Sequence, residues 1–438
     1  MRKMKDSGIA WIGEIPAEWS LTKGKYLFRQ RNEKGNRIEL QLLSPTQKFG
    51  VIPQEMYENL SGMKAVKLDE STDYSVLKSI YKGDFCISLR SFQGGFEYSK
   101  YNGVVSPAYQ VFYKIANLYD SYYRYMFKDQ SFISKMTSYT KTFRDGKSIS
   151  FTDFGASLIP VPPVTEQHTI AAFLDDKCSH IDSIIEKTRA SIDEYKKLKQ
   201  AVITRAVTKG IRQGRKMKDS GIDWIGEIPK DWAVKKLGAI TKSMRNGYVG
   251  PTKNILVSDG IRYIQSLHIK DGRIIFDNHP YYVSEEWANK HPKIQTNDIL
   301  IVQTGDIGNV GLVSPTFDKC NCHALIIATP DTAFIIPQYL TYYLLSHVGR
   351  ELLLFHKTGA LLPHLNSGKI KFAQICVPPL PEQQEIASYL DAKIAAIDRL
   401  IAKKEQLVAE MESCKKSLIY EVVTGKREVP IELSHKIQ

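Results

Sequence analysis

Three features predict an α+β fold built of mixed α/β blocks, two long antiparallel coiled-coil helices and an internal pseudo-two-fold repeat. The first is a duplicated opening. MKDSGIAWIGEIPAEW at Met4–Trp19 returns as MKDSGIDWIGEIPKDW at Met217–Trp232, with thirteen of sixteen positions identical. The second is a duplicated close, VPPVTEQHTIAAFLDDK from Val161 against VPPLPEQQEIASYLDAK from Val377. The third is a seam of apolar residues after each close. Offsets of 213 and 216 residues make the chain one module written twice. The stretches between are dissimilar, so one scaffold is expected to carry two different surfaces. That pattern suits a two-part reader better than a single-pocket enzyme.

Residues 1–163 form the first block. Trp11 and Trp19 recur as Trp224 and Trp232, which assigns them to packing of the opening segment. Asp84–Arg90 and Ala108–Tyr113 are among the short β-rich runs bounded by Gly or Asp. A helix is expected near Tyr119–Tyr139, and the loop Lys141–Ser150 leads into the close. Residues 164–209 form the first spacer helix, with Ile170, Leu174, Ile181, Ile185, Ile192, Tyr195 and Val202 on its seam. Thr165 can cap it, Gly210 marks its exit, and 210–216 is a linker. The second block, 217–379, repeats the order: strands Asp298–Gln303 and Ala324–Ala328, a helix over Pro337–Phe355 and a loop His356–Gly368. A second spacer helix, 380–425, carries Ile386, Leu390, Ile394, Ile397, Ile401, Val408, Met411 and Leu418, with Pro381 in its first turn and Gly425 at its exit. Residues 426–438 are a tail.

Each spacer helix spans roughly 60 Å. Such seams are not stable alone in water, so the helices are expected to pack on each other. MKDSG follows the first VTKG directly, yet nothing like it follows the second helix. The N-terminal copy is therefore expected to dock at the end of that helix.

A hydrophobic content of 43% argues for a folded chain. Six cysteines in 438 residues do not make a disulfide framework. No apolar run reaches the roughly 18 residues of a membrane span, and the N-terminus lacks a signal-peptide core. No membrane partner and a cytoplasmic location are expected. The net charge of +13 is unevenly placed. Residues 1–163 hold 23 Lys+Arg against 16 Asp+Glu (+7), and residues 217–379 hold 17 against 14 (+3). The linker adds +3, whereas the helical segments 164–209 and 380–438 stand at +1 and −1. A polyanion facing the dissimilar blocks is the natural partner.

The duplicated opening, both VPP…EQ…IA…(F/Y)LD elements, the helices ending in VTKG and VTGK, and the runs GDFCISLRSFQGGF and NDILIVQTGDIGNVG carry a resemblance over nearly the whole chain. It resembles the specificity subunits of type I restriction–modification systems. The resemblance implies two target-recognition domains reading halves of a bipartite, asymmetric double-stranded DNA site. It implies helices that act as a ruler, of at most about 18 base pairs, and that dock two adenine methyltransferase subunits. Restriction/translocase subunits would complete the complex. The chain itself would be non-catalytic and bind no cofactor, with S-adenosylmethionine, ATP and Mg²⁺ on the partners.

The motifs agree by omission. No Gly-rich dinucleotide turn or Asn/Asp-Pro-Pro-aromatic motif occurs, and Gly146-Lys147-Ser148 has Lys141 where a P-loop needs Gly. Candidate DNA-binding residues combine charge with side chains able to bond base edges. In the first block these are Arg90, Ser91, Gln93, Lys100, Tyr101, Lys141, Arg144 and Lys147. By position in the module the second block supplies Gln303, Thr304, Asn309, His356, Lys357, His364 and Asn366. Cys320-Asn-Cys322-His323 lacks the second ligand pair of a zinc site, so the cysteines read as strand residues and no metal is expected. Glu166-Gln167 and Glu382-Gln383 sit where carboxylates favour a helix dipole, a structural reading preferred over partner contact. Asp175 and Asp391 read equally as solvated residues or methyltransferase contacts.

Overall fold

The computed structural model describes residues 2–35, 40–63, 76–87, 95–139, 149–359 and 364–430. The chain divides into two compact units: 1–188 with 406–438, and 189–405. Each unit therefore owns one block plus a portion of both long helices.

Unit 1 is built on an antiparallel sheet of β1 (Phe28–Arg31), β2 (Phe85–Ile87), β3 (Phe96–Tyr98) and β4 (Gln110–Lys114), ordered β1-β4-β2-β3. Its register sets Phe85 opposite both Phe112 and Tyr98. The buried face is a phenylalanine cluster. Phe28, Phe85, Phe96, Phe112, Phe127 and Phe154 pack ring against ring, with Phe112 and Phe154 centroids 4.9 Å apart. Beyond the sheet come α1 (Asp120–Met126) and α2 (Gln130–Ser138). A single helix was expected there. Asp129 breaks it, because its Oδ1 accepts from the Ser131 and Phe132 amides and so caps a second helix. The first long helix, α3, runs from Val164 to Lys209.

Unit 2 repeats the plan with β5 (Thr241–Asn246), β6 (Ile299–Val302), β7 (Val310–Leu312) and β8 (Leu325–Pro330), ordered β5-β8-β6-β7. Ile299, Ile301, Ile326 and Ala328 take the place of the phenylalanines. The predicted helix again divides, into α4 (Pro337–Leu345) and α5 (His347–Phe355), with the Ser346 Oγ accepting from the Gly349 amide. Unit 2 has a further four-stranded sheet from Leu256–Val257, Ile261–Ile264, Tyr282–Val283 and Asn321–Cys322, where unit 1 has the two-stranded pair Lys78–Ile80 with Gly103–Val105. The second long helix, α6, spans Leu380–Val423.

Thr165 lies inside α3 and does not cap it. The Gln167 amide bonds the Pro163 carbonyl, as Gln383 bonds Pro379, so each helix starts on the second proline of its VPP. Within unit 2 the helices run antiparallel: Lys199 bonds Asp398 at 2.8 Å and Lys404 lies over the Tyr195 ring. Within unit 1 the last turns of α6 pack where expected. Leu418, Val422 and Val423 share a core with Ile12, Ile15 and Trp19, and the Tyr122 hydroxyl donates to the Val423 carbonyl at 2.8 Å. Tyr339 makes the equivalent bond to Val207 in unit 2. Among the described residues no helix is long and apolar enough to cross a membrane.

One buried carboxylate belongs to unit 1 alone. Glu97 on β3 faces Cys86 across the sheet, is 1% exposed, and bonds Lys128 at 2.6 Å. Burial pushes its carboxyl up to about 7, against the pull of Lys128. The folded state thus holds a proton that the unfolded state releases near its ordinary value. Stability is expected to fall as pH rises from about 4.5 to about 7, by up to about 3 kcal/mol from this group. Glu97→Gln should flatten that slope in urea titrations at pH 5 and pH 8. An unchanged slope would show that Glu97 ionises freely in the fold.

Candidate nucleic-acid interface and its frame

The duplicated residues build a frame by hydrogen bonds that recur in both units. Each opening is a hairpin, Met4–Asp6 with Glu14–Pro16 and Met217–Asp219 with Glu227–Pro229. The repeated Asp-Ser-Gly makes its turn: Asp6 Oδ1 accepts from the Gly8 amide and Ser7 Oγ from Ile9, as Asp219 and Ser220 do in the second copy. Gly8 and Gly221 adopt φ of 66° and 72°, which a side chain would strain.

Trp19 and Trp232 are buried, and each indole N–H reaches the first turn of a long helix. Trp19 donates to Glu166 at 2.9 Å and Trp232 to Glu382 at 3.1 Å. Arg2 bridges Glu166 and Glu18, and Arg215 bridges Glu382 and Asp231. Glu166 and Glu382 are therefore clasps. Gln167 and Gln383 also tie blocks to helices, accepting from the Tyr119 and Ile336 amides and donating to Pro162 and Pro378. Asp175 and Asp391 are tied to their blocks, for Tyr125 and Tyr342 donate to them at 2.6 and 2.5 Å. Each hydroxyl beside its carboxylate is held well above the usual tyrosine range, first by burial and then by that bond. These contacts cross up to 167 residues, and only the recurrence of the residue types hinted at them.

Trp11 packs edge-on against Phe132, whereas Trp224 leans on Phe355 and stays half exposed. The packing assigned to the tryptophans holds for Trp19 and Trp232, is partial at Trp11 and is least at Trp224.

The frame delivers the variable loops. In unit 2 the 303–309 loop leaves β6 and is closed by the Val302 amide on the Asn309 carbonyl. Beside it a hairpin pairs Lys357–Thr358 with His364–Leu365, and the Leu365 amide bonds the Gln303 carbonyl at 3.0 Å. Gln303, Thr304, Asn309, Lys357, His364 and Asn366 thus meet at one end of the sheet, with His356 next to the hairpin. Thr304 and Lys357 are exposed; the Gln303 Oε1 is buried with no partner among the described residues. Asn366 commits its Oδ1 to the Gly368 and Lys369 amides. Burial holds the His356 imidazole below its ordinary value, so it is neutral near pH 7.

In unit 1, Arg90, Ser91, Gln93, Lys141, Arg144 and Lys147 lie outside the described residues. The anchors of their loops are adjacent: Ile87 pairs with both Phe96 and Gln110, and Gln110 bonds the Ile149 carbonyl and the Phe151 amide. Lys100 and Tyr101 follow the other end of β3. Lys100 lines a cleft beside the long helices, and the Tyr101 hydroxyl meets Met56 Sδ. Cys320 and Cys322 are buried, with thiols pushed up by burial to about 11 and about 12. Among the described residues no cluster of His, Cys, Asp or Glu could hold a metal ion.

Fold and frame together define a twice-written module, in which one hydrogen-bonded scaffold carries two different loop surfaces. The chain belongs to the type I restriction modification DNA specificity domain family, whose model matches residues 26–194 and 229–410. It is 28% identical over 295 residues to the type I restriction enzyme EcoBI specificity subunit of Escherichia coli, covering 64% of this chain. Against the MjaVIII specificity subunit of Methanocaldococcus jannaschii it is 26% identical, covering 66% of this chain and 67% of that one. The match spans 60% of the EcoBI subunit's length. Two solved structures share the fold. One, from work on complex assembly and conformational transition of the type I R-M system, has a TM-score of 0.70 at 14% identity, over 94% of this chain and 99% of that one. The other, the HsdS subunit from Thermoanaerobacter tengcongensis, has a TM-score of 0.52 at 16% identity, over 94% and 98%.

Proposed function

We propose that this chain is the DNA-reading specificity subunit of a type I restriction–modification complex and performs no chemistry itself. One observation carries the reading: a single frame, with its tryptophan, glutamine and tyrosine bonds repeated, presents two unlike loop surfaces in a chain of the specificity family. Each domain reads one half-site through the major groove, which gives a bipartite and asymmetric target. Gln303, Thr304, Asn309, Lys357 and His364 are the second domain's contacts, with His356 and Asn366 beside them. Arg90, Ser91, Gln93, Lys141, Arg144 and Lys147, with Tyr101, serve the first, whereas Lys100 faces the cleft beside the long helices. Two adenine methyltransferase subunits dock on the complex and flip the target base. Restriction/translocase subunits join them, and S-adenosylmethionine, ATP and Mg²⁺ belong to these partners. The site of action is the cytoplasm.

Mapping methylated adenines in the host genome with and without this chain tests the reading. Two short motifs at a fixed gap should lose methylation when the chain is deleted. Methylation that persists unchanged would overturn it. Equal affinity for every duplex, with the methyltransferase present, would favour a coiled-coil adaptor instead.

A further inference from the structure

The two units differ at one place where their frames coincide. In unit 2, Tyr342, Asp391, Ile394, Asp398 and Lys199 border a space of about 80 Å³ walled on one side by the turn Asp271–Gly272–Arg273. That turn is the tip of the hairpin Ile269–Lys270 with Arg273–Ile274. Gly272 is seated firmly: its amide bonds the Val310 carbonyl and its carbonyl accepts from Leu312, at 3.1 and 3.0 Å. A Cβ there would stand 2.8 Å from Leu345.

The equivalents in unit 1 are Tyr125, Asp175, Cys178, Asp182 and Lys415. They line an open cleft of about 470 Å³. No turn stands in it among the described residues, because the unit 1 hairpin is displaced. Leu43–Thr46 with Gly50–Pro53 meets its sheet at Ser99, and the Gln47 carbonyl accepts from Lys128, outside the residues that line the cleft. The cleft is polar and of mixed sign. Arg124 pairs with Asp175 and Lys415 with Asp182, while Lys100 and Glu186 have no ion partner among the described residues. Three carboxylates beside three cations would repel a phosphate backbone, and they suit a segment that brings one charge of each sign.

We propose that this cleft is a docking site for a turn of a partner polypeptide that presents an acid and a base about a glycine. Asp271–Gly272–Arg273 holds the corresponding place in unit 2. The proposal does not depend on how either domain reads DNA. Lys100 receives the acid of the incoming turn, and Glu186 with Asp182 receives its base.

The probe is a fluorescent cyclic peptide carrying IKDGRI, titrated against the full chain and followed by anisotropy. One peptide should bind per chain, since unit 2 already holds its own turn. Lys100→Glu should weaken binding at least about tenfold, and so should alanine at the Asp and Arg of the peptide. The double exchange Asp182→Lys with Lys415→Asp preserves the ion pair between the helices, and it should weaken binding without lowering the thermal midpoint. Failure to saturate at millimolar peptide would overturn the proposal. So would binding that neither Lys100→Glu nor the alanine peptide alters.

Discussion

Replacing residues 24–157 with the matching block of another member of the family is expected, on the proposed function, to change one half of the methylated sequence and leave the other half intact. The junctions follow from the frame. Ser20–Lys23 pairs with Leu158–Val161, and the Gly24 amide bonds the Ser157 carbonyl just inside that pair. An exchange at this neck keeps Trp19 and Glu166 native, so the indole–carboxylate clasp onto α3 is retained. The phenylalanine core travels with the block but shares one cluster with Trp19, Ile170, Leu174 and Val423 outside it, so the donor block must keep the equivalents of Tyr119, Tyr122 and Tyr125. The effect should be close to all-or-none, because each mismatched base pair costs about 1–3 kcal/mol and a half-site holds several. Adenine methylation mapping reads the result directly. A change in both half-sites would contradict independent readers.

Trp19→Ala should be the most damaging single change to unit 1. It removes a fully buried indole, at about 3–5 kcal/mol, and strips Glu166 of one of its donors. Trp19→Phe separates the two losses. The ring is largely kept, while the missing N–H leaves a half-buried carboxylate oxygen short of a bond, at about 1–3 kcal/mol. Hydrogen exchange is the suitable measurement, since two units need not unfold together. Protection should fall in β1–β4 and α1 in the order Ala, Phe, wild type, with β5–β8 unaffected. Uniform loss across both sheets, or none, would refute the clasp as the local determinant. Trp232 and Glu382 predict the same series for unit 2.

Much of the architecture was legible before any coordinate. Alternation and turn residues placed the strands that became β2, β4, β6 and β8, because a strand's pattern is local. The heptad-like seams located both long helices for the same reason. The caps at Asp129 and Ser346 were missed: the apolar pattern runs on through both sites, and only the side-chain bonds to the following amides show the break. The kinship of the two cores was hidden, since phenylalanines in one and isoleucines in the other fill the same sheet order with unlike volumes. Of the candidate site, the grouping of Gln303 with the Lys357–Leu365 hairpin depended on a backbone bond that no spacing announces. Lys100 and Tyr101, placed in one loop region by proximity in sequence, fall at the opposite end of β3.

By itself the sequence determined that one module is used twice. It also determined which elements each copy contains, and that the charge excess sits in the parts that differ. Those are properties of periodicity, composition and self-similarity, all readable along one dimension. Tertiary structure decided what the duplicated residues are for. Glu166, Gln167 and Asp175 prove to be fasteners because Trp19, Tyr119 and Tyr125 arrive beside them from remote segments. It also decided that the same frame is plugged in one unit and open in the other. That difference rests on where a hairpin tip lands, which leaves no mark in either copy's pattern.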